Sequence, residues 1–215
     1  MPSMRKTPFV NGEFYHIYNR GTEKRIIFPK VKDFERFLLS MEYFNRREPI
    51  GSIFEFSFIV PKLLGGPTTK LVDIVCYCLN PNHFHMILRQ NVSNGISEFM
   101  KRLGGYTRFI NIKYKRSGVL FQGRFKAKHI NSNEYLLYLS AYINLNNLVH
   151  KLKNRLYYSS RLEYTGNPEN KICSKDIILN QFKSTREYEN FTKEALENIL
   201  RKKDMDKDLA SILLE

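Results

Sequence analysis

Two apolar segments joined by the turn Asn-Pro-Asn constrain the fold more than any other stretch of this chain. The first segment reads LVDIVCYCL (71–79) and the second reads HFHMILRQ (83–90). Both are rich in strand-forming residues, and proline cannot supply a ladder hydrogen bond inside a central strand. The sequence therefore predicts an antiparallel hairpin with its turn at residues 80–82.

The rest of the chain alternates between strand and helix patterns. Three further strands are predicted, at residues 13–21, 52–60 and 118–130. Helices are predicted at residues 31–47, 95–115, 131–152 and 185–203 from apolar residues at helical spacing. The third of these helices is expected to begin with a capping box formed by Asn131 and Glu134.

Interleaved strands and helices around an antiparallel hairpin are typical of one fold class. They predict an α+β protein with an antiparallel central sheet and helices mainly on one face. We place a domain boundary near residue 152, with one main domain at 1–152 and a helical extension at 153–215.

The charge of the chain indicates a polyanionic partner. Its 215 residues include 35 Lys and Arg against 21 Asp and Glu, for a formal net charge of +14. No basic amphipathic membrane anchor is evident, so nucleic acid is favoured over an anionic membrane surface. Without an apolar signal segment, and with three cysteines read as reduced thiols, the chain is expected in the cytoplasm, associated with the nucleoid.

His83 and His85 are the first candidate site residues. Residues two apart in a strand project from the same face, so the two imidazoles can meet one cation. The alternative is that one histidine bonds at the strand edge while the other faces solvent. A divalent site also needs a third ligand, which must come from another part of the chain.

Tyr142 and Asn146 offer that ligand together with a nucleophile. Four residues apart on a predicted helix, they lie on one helical face. A tyrosine beside a cation can attack a phosphodiester and form a phosphotyrosyl link. A phenol with a pKa of about 10 needs a nearby cation or base for this step. The alternative is a core stripe made with Tyr135 and Tyr138.

Several segments resemble one enzyme family. They are YHIYNRGTEKRIIF, LNPNHFHMIL, GVLFQGRFKAKHI, YLLYLSAYINLNNLVH and YYSSRLEYTG, in this order within roughly residues 9 to 166. The chain resembles the single-tyrosine HUH transposases, and most closely the REP-associated tyrosine transposases with their IS200-like domain. This resemblance implies an HUH endonuclease fold with a ferredoxin-like, RRM-like core, and it makes residues 1–152 the catalytic domain.

The resemblance also implies the roles of individual residues. Tyr142 corresponds to the nucleophile, and His83, His85 and Asn146 to the ligands of Mg²⁺ or Mn²⁺. The implied activity is nicking and rejoining of single-stranded DNA at hairpin-flanked sites through a 5′-phosphotyrosine, with a REP-like palindrome as substrate. Whether the protein acts as a monomer or a homodimer stays open.

Basic residues in and around these motifs are candidates for DNA contacts. They are Arg20, Lys101, Arg102, Arg108, Arg124, Lys126 and Lys128. Arg124, Lys126 and Lys128 alternate along a predicted strand and are expected to share one face. One of these three, or the adjacent His129, is expected to assist the tyrosine.

One departure from the family and two rival functions complete the expectations. The family usually has Asn-Pro-Val-Arg-Ala where this chain has NNLVH (146–150), and without the proline the helix is expected to run on by a turn. The rival functions are a non-catalytic, domesticated protein that binds DNA hairpins and a metal-dependent phosphohydrolase with no covalent tyrosine.

Overall fold

The hairpin predicted at residues 71–90 forms the centre of a five-stranded antiparallel sheet. Its strands pair in the order β4-β1-β3-β2-β5. The strands are β1 (Phe14–Arg20), β2 (Val72–Asn80), β3 (His83–Gln90), β4 (Lys126–Ile130) and β5 (Tyr158–Ser159). This computed structural model describes residues 8–51, 53, 69–150, 156–166 and 171–212, so the strand predicted at 52–60 lies outside the described residues apart from Ile53.

The described helices lie between the strands and after them in the chain. They are α1 (Val31–Tyr43), α2 (Gly95–Leu103), α3 (Gly105–Lys113), α4 (Asn133–Asn144), α5 (Asn146–Val149), α6 (Arg161–Thr165), α7 (Asp176–Leu179) and α8 (Thr185–Ile212). The unit β1-α1-β2-β3-α2-α3-β4, with strand order 4-1-3-2, is a ferredoxin-like core. The predicted α+β class with an antiparallel central sheet is confirmed.

One face of the sheet packs against α1, α2 and α3. Tyr15 and Ile17 of β1 and Phe84 and Met86 of β3 are almost fully buried in this cluster with the phenylalanines of α1. The alternation of side chains along each strand places these apolar residues on the same face. Burying each such side chain contributes about 1.5–3 kcal/mol to folding, which fixes the register of β1 on β3.

The opposite face of the sheet is covered by α4 and by the later helices. Cys76, Cys78 and Ile87 face a second cluster that includes Leu139 of α4 and Tyr188 of α8. The expectation of helices mainly on one face therefore needs correction, because it holds for the ferredoxin-like unit and not for the helices after β4. Helical periodicity shows that a helix has an apolar side but not which face of the sheet that side covers.

Two predicted helices are divided, and one begins elsewhere than expected. The helix predicted at 95–115 is split at Gly104, and the helix after β4 is split at Leu145. The N-cap of α4 is Ser132, whose Oγ accepts a hydrogen bond from the backbone N–H of Tyr135 at 3.1 Å. The N-cap is therefore one residue later than predicted, and a single bond from Ser132 replaces the predicted capping box of Asn131 and Glu134.

The residues after 152 contribute to the same sheet and to the second cluster. β5 pairs with β2 along the edge of the sheet, and Ser160 accepts a hydrogen bond through Oγ from the backbone N–H of Tyr77 at 2.9 Å. The boundary at 152 falls in 151–155, outside the described residues, and the division into two domains stays a prediction. Among the helices that the structure describes, none has the length and apolarity to cross a membrane.

Candidate active site

The strand β3 presents His83 and His85 on the face covered by α4. Their ring centroids lie 5.3 Å apart at an interplanar angle of 86°. In the register of the sheet, His83 lies opposite Arg20 of β1, and His85 lies opposite Tyr18. Both histidines are partly buried. Strand alternation thus produces the shared face that the sequence predicted.

Tyr142 of α4 lies over the same face, within the same chain. Its ring centroid is 6.0 Å from that of His85, in an edge-to-face arrangement. Burial raises the pKa of the Tyr142 phenol above its ordinary value, and the neighbouring Asn146 amide acts in the opposite direction. The candidate nucleophile is therefore close to the histidine pair, but the chain must stabilise its phenolate.

Asn146 lies between the tyrosine and the histidines. The break at Leu145 ends α4, so Asn146 is the first residue of the short helix α5, not part of a continuous helix with Tyr142. Its side chain is fully buried, and its Oδ1 accepts a hydrogen bond from Asn80 Nδ2 at 2.5 Å. Its Nδ2 is buried without a hydrogen-bond partner among the described residues. The sequence predicted that the helix runs on by a turn after Asn146. In the structure this turn is the separate short helix α5, which ends at Val149.

Two candidate ligands, His83 and Asn146, contact the same amide group of Asn80. Asn80 Nδ2 is 2.8 Å from His83 Nε2 as well as 2.5 Å from Asn146 Oδ1. His83 Nδ1 is 2.7 Å from the amide oxygen of Asn82, which can only accept, so His83 carries its proton on Nδ1. His83 Nε2 and Asn146 Oδ1 therefore both accept hydrogen bonds from the Asn80 amide group, which lies between them.

This donor set fits a divalent cation. Imidazole nitrogens and amide oxygens both ligate divalent metals in proteins. Within the described ranges, no group of three or more His, Cys, Asp or Glu side chains is arranged to hold a metal ion. The predicted set of His83, His85 and Asn146 contains two such side chains and an amide, so that finding leaves the set a prediction.

The surroundings keep the histidines neutral. Burial lowers the pKa of His83 to about 4, with His150 as a second cause. Burial also lowers the pKa of His85 well below its ordinary value, followed by the effect of His16. A neutral imidazole retains the lone pair that a metal ligand needs.

Two of the predicted DNA-contact residues line the cavity beside Tyr142. This cavity has a volume of about 520 Å³ and includes Tyr18, Arg20, Lys126, His150 and both histidines of β3 in its lining. Lys126 and Lys128 alternate on β4, and Lys128 lies opposite His16 on β1. The structure therefore brings Arg20 and Lys126 to the candidate site and places Lys128 on the same strand face as Lys126.

The remaining basic candidates lie elsewhere. Arg124 precedes β4 and lines a separate, largely apolar cavity of about 410 Å³ beside Phe121 and Met100. Lys101 lies on α2 and Arg108 on α3, and both are exposed. His129 pairs with Glu13 at 2.8 Å and packs against Tyr15, which places it on the other face of the sheet, away from Tyr142.

Arg102 requires a correction, because its side chain is an internal bridge. The side chain is only 12% exposed and donates to Glu98 at 2.9 Å. It also donates to the backbone carbonyls of Phe44, Arg46 and Arg47, at 3.3, 2.7 and 3.3 Å. These bonds join α2 to the segment after α1. The sequence shows that Arg102 is charged, but it does not show the backbone carbonyl groups that surround its side chain.

Two histidines in this region were not predicted as site residues. His16 of β1 is 2.9 Å from His85, measured from Nε2 to Nδ1. His150, just after α5, has its ring centroid 5.3 Å from that of His83 and lines the cavity. His150 belongs to the segment that departs from the family pattern. This departure was the only sequence feature that could have marked His150 as a site residue. His16 had a signal in the alternation of β1, which places it on the same face as Tyr18.

A comparison with protein families assigns the segment that contains these residues. Residues 67–146 match the family model described as "Transposase IS200 like". This segment has the IS200-like transposase signature. The IS200-like segment covers less than half of the chain, and it runs from just before β2 to Asn146, so it includes His83, His85 and Tyr142. The family resemblance predicted from the motifs is confirmed for this segment.

Comparisons with individual proteins add one structural similarity. The structure of a REP-associated tyrosine transposase bound to a REP hairpin is similar to this chain at a TM-score of 0.42 and 12% sequence identity. The similarity covers 70% of this chain and 74% of that one. No curated protein matches the sequence of this chain significantly.

Proposed function

We propose that this protein nicks and rejoins single-stranded DNA through Tyr142, as a metal-dependent tyrosine HUH transposase. The observation that carries the proposal is the position of the Tyr142 ring, 6.0 Å from His85 on the face that also presents His83. All three residues belong to the IS200-like segment. A nucleophile next to potential cation ligands is the arrangement that phosphoryl transfer requires.

In the proposed cleavage step, Tyr142 Oη attacks the phosphorus of a phosphodiester. A bond forms between Oη and phosphorus, and the bond from phosphorus to the 3′-oxygen breaks. The phenol loses a proton, the departing oxygen gains one, and the products are a 5′-phosphotyrosine and a free 3′-hydroxyl. Because the phosphotyrosine retains the energy of the ester, a second 3′-hydroxyl can reverse the step without ATP.

His83, His85 and Asn146 would hold the cation, Mg²⁺ or Mn²⁺. When bound, the cation supplies positive charge that offsets the charge of the scissile phosphate. The Asn146 amide has a second use, because its Oδ1 faces the His83 side while its buried Nδ2 has no partner there. An N–H group near a phenol stabilises the phenolate, which agrees with the effect of Asn146 on the pKa of Tyr142.

Arg20 and Lys126 would position the DNA. Both line the cavity that contains Tyr142, and both carry charges that attract the phosphate backbone. Such contacts set affinity and orientation without reading the base sequence. The hairpin as the preferred substrate follows from the family resemblance, and the overall charge of +14 is consistent with it.

A covalent adduct is the decisive product. The full chain, incubated with Mg²⁺ or Mn²⁺ and hairpin oligonucleotides with single-stranded flanks, should give a protein–DNA adduct that survives denaturation. Tyr142→Phe should abolish the adduct and His83→Ala should lower it at least a hundredfold. Tyr138→Phe is the matched control, because Tyr138 is an exposed tyrosine one turn earlier on α4 and should leave the yield unchanged.

Three outcomes would contradict the proposal. An undiminished adduct in Tyr142→Phe would exclude this residue as the nucleophile. Hairpin binding that survives chelation and His83→Ala, with no adduct on any substrate, would support a non-catalytic DNA-binding protein. Multiple turnover by Tyr142→Phe would support a phosphohydrolase.

A further inference from the structure

His16 makes a direct hydrogen bond to one of the candidate ligands. Its Nε2 lies 2.9 Å from Nδ1 of His85, and the two rings are nearly parallel, with centroids 5.1 Å apart and an interplanar angle of 21°. His16 is only 9% exposed, so water does not compete freely for this contact. The Tyr18 ring stacks with both histidines, and its centroid lies 4.8 Å from that of His16 and 5.7 Å from that of His85.

A hydrogen bond between two neutral imidazoles has two possible arrangements. If His85 donates from Nδ1, its Nε2 keeps a free lone pair, and His16 accepts through Nε2. If His16 donates from Nε2, His85 accepts through Nδ1 and carries its own proton on Nε2. Only the first arrangement leaves His85 able to ligate a cation or accept a hydrogen bond through Nε2.

The neighbouring histidine indicates which arrangement the site uses. His83 donates from Nδ1 to the amide oxygen of Asn82 at 2.7 Å, and this bond leaves its Nε2 as an acceptor. The Nδ1 atom of His85 also lies within hydrogen-bond distance of a neighbour, Nε2 of His16. The two candidate ligands would then present the same nitrogen, Nε2, from one face of β3.

We propose that His16 is a positioning residue that accepts the Nδ1 proton of His85 and so fixes His85 with a free Nε2. A metal-bound histidine commonly donates its other ring N–H to a neighbouring acceptor, and this partner sets the tautomer and the ring orientation. The consequence of this contact for catalysis rests on the proposed function. The tautomer of His85 is a property of the protein alone.

The tautomer can be read directly from long-range ¹H–¹⁵N NMR spectra of the histidine rings in the full chain, without metal or DNA. The wild-type protein should show His85 with its proton on Nδ1. In His16→Phe, which keeps a ring but removes the acceptor, the proton of His85 should move to Nε2 in part or completely. His16→Gln, whose amide oxygen can accept, should retain the Nδ1 proton. A wild-type His85 protonated on Nε2, or an unchanged His85 in His16→Phe, overturns the proposal.

Cation affinity gives an independent measurement that separates this proposal from the proposed function. Titration of the full chain with Mn²⁺ should show affinity lowered about tenfold to a hundredfold in His16→Phe, the usual effect of losing such a partner. His16→Gln should recover most of the loss. His129→Phe is the matched control on the other face of the sheet and should bind as the wild type does. A wild-type chain that binds no Mn²⁺ would contradict the proposed function, while the NMR spectra would still decide the tautomer.

Discussion

Asn146 connects the candidate cation ligands with the candidate nucleophile Tyr142. Its amide oxygen converges with His83 Nε2 on Asn80 Nδ2, while its nitrogen is buried and unpartnered among the described residues. An amide can serve a cation through oxygen and a phenolate through N–H at the same time. A carboxylate in this place would serve the cation better and the phenolate worse.

Asn146→Asp should therefore change two measurements in opposite directions. The added negative charge should raise Mn²⁺ affinity roughly tenfold, because charged oxygen ligands bind hard cations more tightly than neutral ones. The same charge should slow adduct formation roughly tenfold at neutral pH, because it disfavours the Tyr142 phenolate. Metal titration and single-turnover adduct kinetics measure the two effects. A variant with unchanged affinity and rate would show that Asn146 touches neither partner.

Two arginines predicted as DNA contacts should now behave differently. Arg20→Gln should weaken DNA binding for all sequences and reduce the slope of log affinity against log salt by about 1, because Arg20 lines the cavity beside Tyr142. Lys126→Gln should act similarly. Fluorescence titrations at several salt concentrations measure the slope.

Arg102→Gln should instead reduce stability. Its guanidinium donates to Glu98 and to three backbone carbonyls, so its loss should cost about 1–3 kcal/mol in urea unfolding and leave the salt dependence of binding unchanged. A stable Arg102→Gln protein with weaker DNA binding would support the prediction from the sequence that Arg102 contacts DNA.

At the scale of elements, the placement of α4 depends on where it begins and ends. Ser132 caps its start, and Leu145 interrupts its end with φ −109° and ψ 11°. The interruption separates Tyr142 on α4 from Asn146 on α5. Local signals placed the helix correctly but not its ends, because Asn131 and Ser132 are both good N-cap residues and nothing in the sequence marks Leu145 as a break.

The two candidate caps can be compared directly. Ser132→Ala should lower the free energy of unfolding by about 1 kcal/mol, because the N–H of Tyr135 loses its acceptor. Asn131→Ala should change it by less than about 0.5 kcal/mol, as an ordinary exposed substitution does. Urea unfolding of both variants gives the comparison. Equal losses would mean that both side chains contribute to the cap.

At the scale of the whole molecule, the sheet carries helices on two faces with different tasks. The α1, α2 and α3 face forms the core of the ferredoxin-like unit, and the α4 face holds the candidate site. The helix α8 supports α4 from outside, where Asn144 Nδ2 donates to the Tyr188 hydroxyl at 2.8 Å. Ser160 donates to Asn144 Oδ1 at 2.6 Å, so two residues beyond position 152, Ser160 and Tyr188, hold the helix that carries Tyr142.

Because Tyr142 and the histidines meet within one chain, we expect each chain to use its own tyrosine. A mixture of Tyr142→Phe and His83→Ala proteins should then form no more adduct than His83→Ala alone. The reason is the 6.0 Å separation of the Tyr142 and His85 rings in the same chain. Gel analysis of the mixture on a hairpin substrate measures the yield. Restored adduct in the mixture would show that tyrosine and histidines come from different chains.

The local structure and the candidate chemistry could be predicted from patterns in the sequence. The hairpin, the strands β1 and β4 and the helix α1 follow from periodicity and turn residues, because these reflect backbone sterics within a few residues. The shared face of His83 and His85 is a direct consequence of strand geometry. The family motifs then pointed to Tyr142 and Asn146, and the IS200-like match covers the same residues.

Which of these residues meet depends on long-range packing and could not be predicted from local patterns. This packing placed α4 on the histidine face, brought His16 against His85 across 69 positions of sequence, and turned Arg102 inward to three carbonyl groups. Such contacts depend on how apolar faces far apart in the chain are buried together. Each segment shows an apolar side, but only packing of the whole chain selects the surface that this side covers.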